Sequence, residues 1–448
     1  MATDLMKTGE QGWRCEVARP SLPEIYSSLE VPRSAPALGK LLAFSGPGFL
    51  IAVGYMDPGN WATDIAAGSK YNYRLLSVIM LSNLMAILLQ ALAVKLGVVT
   101  GRDLAQACRD YFSRPTNFGL WVLAEVAIAA CDLAEVIGSA IALNLLFHIP
   151  LLWGVCLTAL DVLLFLALQQ KGFRFIEALV IALIAVISVC FGLEILFSRP
   201  DVAGLLAGFF APSPQIIRDP RMLYIAVGIL GATVMPHNLY LHSAIVQTRR
   251  FERTPAGKRE AIRFCTLDST IALTIALFVN AAILIVSAAT FYRHGLNEIA
   301  EITDAYKLLS PLLGVTAASG VFALALLASG QNSTLTGTLA GQVVMEGFLN
   351  IRLRPWLRRL ITRLLAIIPA IIVTAFWGER GTARLLVLSQ VVLSMQLSFA
   401  VVPLVMFTSD RRKMGEFVNQ PWLEKLSWFM AVVIAGLNAW LLAQAFRL

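Results

Sequence analysis

Eleven long apolar runs divide this chain and leave room for little except a bundle of membrane-crossing helices. Crossing the hydrocarbon core takes roughly 20 predominantly apolar residues. Such runs fall at about 40–68, 73–98, 117–147, 151–169, 175–197, 223–248, 267–291, 311–347, 357–377, 384–408 and 426–446. Only 14% of the 448 residues are charged and 58% are hydrophobic, against roughly 25% charged in a soluble domain. The loops are too short for extramembrane domains. An all-α integral membrane protein is therefore expected: a polar tail over 1–36, then one transmembrane domain over 37–448. No cleavable signal peptide is expected, because the first apolar run is too long for one.

The net charge of +8 suggests nucleic acid until its distribution is read. Lys7, Arg14, Arg19, Arg33 and Lys40 precede the first run, and every second loop after it is basic. Arg102, Arg109 and Arg114 begin that series, and Arg411, Arg412, Lys413 and Lys425 close it. The alternate loops are poor in Lys and Arg. Basic loops mark the cytoplasmic side, so a cytoplasmic N-terminus is expected and, with an odd span count, an outside C-terminus. The charge is topological, and no nucleic-acid partner is expected. The six cysteines lack metal or disulfide spacing and read as inert buried thiols.

Two runs contain what a membrane helix avoids. The first carries Gly54-Tyr55-Met56-Asp57-Pro58-Gly59-Asn60 near its middle; the sixth carries Gly231-Ala232-Thr233-Val234-Met235-Pro236-His237-Asn238. Proline removes a backbone donor, and an acid at this depth is costly. Irregular backbone survives there only when buried in protein or lining a water-filled cavity. A plain proline kink does not call for Asp and Asn beside one break and Met and His beside the other. Paired interruptions in two halves are the pattern of inverted-repeat transporters. The repeats are expected over about 40–197 and 223–408, with an additional helix at about 426–446.

The breaks offer the Asp57 carboxylate, the Asn60 amide oxygen and the Met235 thioether, and unwound turns add carbonyls, which could come from Gly54 and Ala232. Calcium and magnesium prefer shells made wholly of oxygen. A thioether favours softer transition metals, so the set reads as a reversible site for Mn²⁺ or Fe²⁺. The third run carries Glu125, Asp132 and Glu135 on one helix stripe, which cannot face lipid. Arg358, Arg359 or Arg363, at the start of the ninth run, are the expected partners. A proton relay is the favoured reading, and a structural ion-pair ladder is the bland one.

The segments GPGFLIAVGYMDPGNWATDIAAGSKYNY and LGATVMPHNLYLHS, with SGQNSTLTGTLAGQVVMEGFLNIRL at about 329–353, resemble the signatures of the Nramp (natural-resistance-associated macrophage protein) family. The resemblance runs from about residue 22 to the end, and the DPGN and MPH pair is its most specific part. It implies a LeuT-like inverted repeat with helices 1 and 6 discontinuous, and proton-coupled transport of divalent metals, manganese in bacteria. It implies metal ligation by Asp57, Asn60 and Met235, with the Gly54 and Ala232 carbonyls contributing in different states and Gln390 approaching on occlusion. Asp57 and Asp132 become proton carriers, tuned by His237, with Glu125, Glu135, Arg358 and Arg359 leading the proton inward. Asp161, in the fourth run, falls outside the family pattern.

The expected function is import of Mn²⁺, and of Fe²⁺ and Cd²⁺, across the cell membrane. Metal and proton are cargo, no resident cofactor is expected, and the chain is expected to work as a monomer. The rivals are a sodium-coupled amine or amino-acid symporter, which gives Met235 and His237 no role, and a membrane metalloenzyme. The enzyme would need firm ligands such as histidines at i, i+4, a pair that no span contains.

Overall fold

Prolines decide where many of the helices begin. In the computed structural model, which describes residues 13–14, 20–32, 35–161, 171–351, 354–377 and 382–445, Pro47, Pro58, Pro220, Pro236 and Pro255 each open a helix. A first-turn residue has no intrahelical acceptor for its N–H, so proline loses nothing there.

The first expected span is three helices: α1 (Ala37–Phe44), α2 (Pro47–Gly54) and α3 (Pro58–Tyr71). The chain bends by 48° between α1 and α2. Then follow α4 (Leu76–Thr100), α5 (Leu104–Tyr111), α6 (Arg114–Phe147), α7 (Leu151–Leu157), α8 (Phe173–Ser198) and α9 (Val202–Phe210). The sixth span is divided into α10 (Pro220–Thr233) and α11 (Pro236–Ile245). The rest comprises α12 (Pro255–Thr290), α13 (Ile302–Leu313), α14 (Ala318–Leu349), α15 (Pro355–Trp377), α16 (Thr382–Ser409) and α17 (Pro421–Ala445). Among the described residues the one strand pairing is a two-residue parallel ladder of β1 (Leu29–Glu30) with β2 (Arg249–Arg250).

Among the described residues, seven helical stretches are long and apolar enough to cross a membrane, or eight with the bent α1–α2 pair. The stretch expected as the eighth span holds two helices: α13 ends at Leu313, and α14 runs from Ala318 to Leu349. Its polar run, including Ser329, Asn332, Ser333, Thr334 and Thr336, is buried, so lipid never meets it. The fourth expected span is described only as α7 with the short 3-10 turn Thr158–Leu160 and Asp161.

Polarity is inverted relative to a soluble protein. Leu81, Val126, Val189, Phe278, Phe399 and Phe429 face outward, while Gln90, Asp132, Glu135, Asn280 and Gln390 are buried. A hydrocarbon solvent accounts for both halves of that pattern. Around the two breaks, α6 packs chiefly on α14 and α16, and α12 packs on α2, α3 and α4.

The N-terminal segment is docked where it is described. Trp13 is buried beneath Arg102, whose guanidinium lies 4.8 Å from the indole centroid, and against Phe407 at 5.4 Å. Ser21 donates to Asp103 at 2.6 Å, and the Leu22 amide donates to Glu346 at 3.0 Å.

Candidate metal centre

The two breaks are built alike. Asp57 and Met235 each hold extended backbone (φ −67°, ψ 162° and φ −70°, ψ 122°) directly before a helix-opening proline. Each residue therefore stands at the N-cap of an outgoing half-helix, where free N–H groups and the helix dipole favour negative charge. Asp57 uses that position directly: its Oδ1 accepts from the Asn60 amide N–H at 2.9 Å.

Asn60 joins the two breaks. Its Nδ2 donates to Asp57 Oδ1 at 2.6 Å and to the Ala232 carbonyl at 3.0 Å. Gln390, from α16, donates to Asp57 Oδ2 at 3.3 Å. Met235 lies in a small apolar cluster with Ala127, Cys131 and Leu393. Gly54 abuts Asn238, whose Nδ2 donates to the Ile51 carbonyl at 3.2 Å. Asp57, Asn60, Ala232, Met235 and Gln390 are all at most 1% exposed. The structure thus gathers the acid, both amides and the Ala232 carbonyl, while Met235 lies at the second break in its own apolar cluster. Among the described residues no cluster of three or more His, Cys, Asp or Glu is placed to grip a metal.

Polar residues on neighbouring helices support the unwound turns. Asn280 donates to the Tyr55 carbonyl at 2.7 Å, and Ser329 to that of Met56 at 2.5 Å. Gln90 donates to the Tyr55 hydroxyl at 2.9 Å and pairs with His242 Nδ1 at 3.0 Å. Gln90 and Asn280 therefore hold the breaks in place, and His242 belongs to that scaffold.

The acids of α6 divide. Glu135 is fully buried; its Oε1 accepts from Ser333 at 2.9 Å and its Oε2 from Thr334 at 3.1 Å. Asp132 is 7% exposed. Asp132 and Glu135 both face Gly337, where a Cβ would stand 3.0 Å from Glu135 Oε1 and 3.3 Å from Asp132 Oδ1. Cys131 lies between Glu135 (3.6 Å) and His237 Nε2 (3.8 Å). Glu125 is half-buried and accepts from Trp121 Nε1 at 3.1 Å. Of the three arginines, Arg363 faces Glu135, with Nη1 3.5 Å from Oε2. The side chains of Arg358 and Arg359 lie outside the described residues.

Sequence reasoning passed over a second polar cluster at the basic end. Arg249, fully buried, donates to Glu177 Oε1 at 2.6 Å and to the Ser45 carbonyl at 2.5 Å. Asp268 accepts from the Gly48 amide at 2.7 Å and from Ser45 Oγ at 2.9 Å. This clamp locks the α1–α2 bend onto α8 and α12. The signal was present: Glu177 and Asp268 are lone acids inside apolar runs, whereas Arg249 reads as one more loop cation.

Two helices broken before prolines and joined across the breaks by the Asn60–Ala232 hydrogen bond define a multi-pass membrane transporter. The family described as natural resistance-associated macrophage protein-like matches residues 48–444. The divalent metal cation transporter MntH of Nostoc sp. is 68% identical over 427 residues, 95% of this chain and 96% of its own. The crystal structure of the Eremococcus coleocola manganese transporter matches at 44% identity with a TM-score of 0.87, over 94% of this chain and 90% of its own. Mhp1, a nucleobase-cation-symport-1 transporter, shares the fold alone, at 14% identity and a TM-score of 0.60 over 92% of each chain. The chain belongs to the Nramp family.

Proposed function

We propose that this protein imports Mn²⁺, and Fe²⁺ and Cd²⁺ with it, in symport with protons, by alternating access across the cell membrane. The observation that carries the reading is the Asn60 amide lying between Asp57 Oδ1 and the Ala232 carbonyl. A donor held by two acceptors from two separate breaks occupies the place a cation would take. When metal arrives, the amide rotates to present its oxygen, Asp57 contributes a carboxylate and Met235 its sulfur. The Gly54 and Ala232 carbonyls and Gln390 complete the shell in different states. No resident cofactor is required, and no enzymatic step is involved.

The proton takes a separate road. Asp57 and Asp132 are the carriers, and His237 and Cys131 lie between the metal centre and Glu135. Glu125 and the arginines of α15 (Arg358, Arg359 and Arg363) lead toward the cytoplasm. The basic end of the bundle, which holds the N-terminal segment, is the cytoplasmic side. The chain works as a monomer in the bilayer. The broken helices rock, and opening of the basic end separates Arg249 from Glu177.

Uptake into proteoliposomes with a trapped metal indicator tests this. Asp57→Ala is expected to abolish Mn²⁺ uptake, and excess amino acids are expected to leave wild-type uptake unchanged. Persistent Mn²⁺ uptake by Asp57→Ala, or amino-acid uptake by the wild type, rejects the proposal.

A further inference from the structure

Between α1 and α12, at the basic end of the bundle, lies an open crevice of about 420 Å³ lined by Ala37, Lys40, Arg259, Glu260, Arg263 and Phe264. The metal centre, the proton route and the Arg249–Glu177 clamp make no use of it. Glu260 pairs with Lys40 from one helix to the other, and Glu416, beyond α16, pairs with Arg259 at 2.5 Å. Arg263 is exposed and has no acidic partner among the described residues. The lining thus sets three cations against one acid, and a cleft with such an excess concentrates anions.

Its depth identifies the kind of anion. Arg263 stands one helical turn before Leu267, where the apolar run of α12 opens, a rise of about 6 Å. The headgroup layer extends roughly 5–7 Å beyond the hydrocarbon on each side, so the cations lie at headgroup level. Below them Leu267 and Ile271 are 41% and 40% exposed. Arg259, Arg263, Leu267 and Ile271 recur at every fourth position and so form one stripe along α12, charged above and apolar beneath. On α1, Lys40 and Phe44 turn toward α12, where Phe44 stacks on Phe264 with ring centroids 5.8 Å apart. Leu38 and Leu42, on the other face of α1, are 68% and 58% exposed. The crevice therefore opens among surfaces that suit acyl chains. A soluble phosphate compound would use the cations and leave the apolar stripe idle.

We propose that this crevice binds the headgroup of an anionic phospholipid, its phosphate bridging Lys40 on α1 to Arg259 and Arg263 on α12 and its acyl chains lying along Leu267 and Ile271. The guanidinium fork matches phosphate oxygens. A zwitterionic headgroup brings a cation of its own into a site already in cationic excess. The bound phosphate ties α1 to the helix whose Asp268 already holds Ser45 and Gly48.

Native mass spectrometry of the full chain in detergent tests this, with phosphatidylglycerol, phosphatidylcholine or soluble glycerol phosphate as the added probe. Wild type is expected to retain phosphatidylglycerol at least fivefold more tightly than phosphatidylcholine, and to hold no glycerol phosphate. Arg263→Gln and Lys40→Gln are each expected to weaken phosphatidylglycerol binding about fivefold, the share of one basic residue at an anionic surface. Arg114→Gln removes an exposed cation of α6, which does not line the crevice, and is expected to change binding less than twofold. Equal losses in Arg263→Gln and Arg114→Gln overturn the proposal in favour of diffuse attraction. Phosphatidylcholine held as tightly as phosphatidylglycerol overturns it too, and glycerol phosphate held as tightly as the lipid assigns the crevice to a free phosphate compound instead. Should Arg263→Gln fail to fold, Lys40→Gln decides: a loss of about fivefold supports the proposal, and unchanged binding overturns it.

Discussion

Gln390 reaches Asp57 Oδ2, at 3.3 Å, only because residue 59 has no side chain. A Cβ on Gly59 would overlap the Gln390 amide nitrogen. That glycine, in the first turn of α3, is needed for close approach across the bundle.

Gly59→Ala is therefore expected to weaken Mn²⁺ binding by at least tenfold, about 1.4 kcal/mol, in isothermal titration. The double variant Gly59→Ala/Gln390→Ala should recover part of that loss, since the overlapping group is gone. If the two substitutions are simply additive, the overlap is not the cause.

Met235→Ala is expected to keep Mn²⁺ transport but lose discrimination, because the soft ligand is what disfavours hard cations. Competition of Mn²⁺ uptake by Ca²⁺ and Mg²⁺ reads this out. A variant that excludes both as well as the wild type does would show that selectivity lies elsewhere. Met235 packs with Cys131 and Leu393, so some loss of stability is expected beside it.

Arg249→Ala removes the cation of the clamp and leaves Glu177 buried beside a largely exposed Arg174. Breaking a buried pair from one side is destabilising by about 3 kcal/mol, so a lower melting temperature in detergent is expected. Cys265 lies under Phe44 in the same apolar cluster. Its modification by a polar thiol reagent, mapped by mass spectrometry, should rise at least tenfold as the basic end opens. Continued protection of Cys265 would assign the clamp a purely structural part.

Asp103 caps α5, outside the membrane spans, and pairs reciprocally with Gln106. Burial raises its pKa from 3.8 to about 6, against the opposing hydrogen bonds from Ser21 and Gln106. A carboxyl whose folded pKa is raised contributes stability below its unfolded pKa and loses it as the pH climbs through the folded value. The ionised form in the fold is disfavoured by about 3 kcal/mol. Asparagine caps a helix as well as aspartate but does not titrate. Asp103→Asn is expected to abolish the part of the melting-temperature decline between pH 4.5 and 7 that wild type shows. Parallel pH curves for the two proteins would refute this.

The helix breaks were legible from residues alone, because Asp, Asn and Met beside paired prolines make sense only where backbone is unwound inside protein. The inward-facing acids of α6 were legible for the same solvation reason. Other features depended on packing. Nothing in the spacing of Arg358, Arg359 and Arg363 says which of them faces Glu135; the structure turns Arg363 to it. Hydropathy joins α13 to α14, whereas the chain turns at Gly314, whose φ of 68° ends the first of the two helices.

Sequence alone therefore determined the solvent, the segments that cross it and the residues too polar to meet it, since each follows from the cost of placing a group in hydrocarbon. Tertiary structure alone decided which polar groups share a partner. Asn60 meets Ala232 across 172 residues, and Arg363 meets Asp161 across 202. Hydrogen bonds act over about 3 Å, a distance that is set by how helices pack and not by their order along the chain.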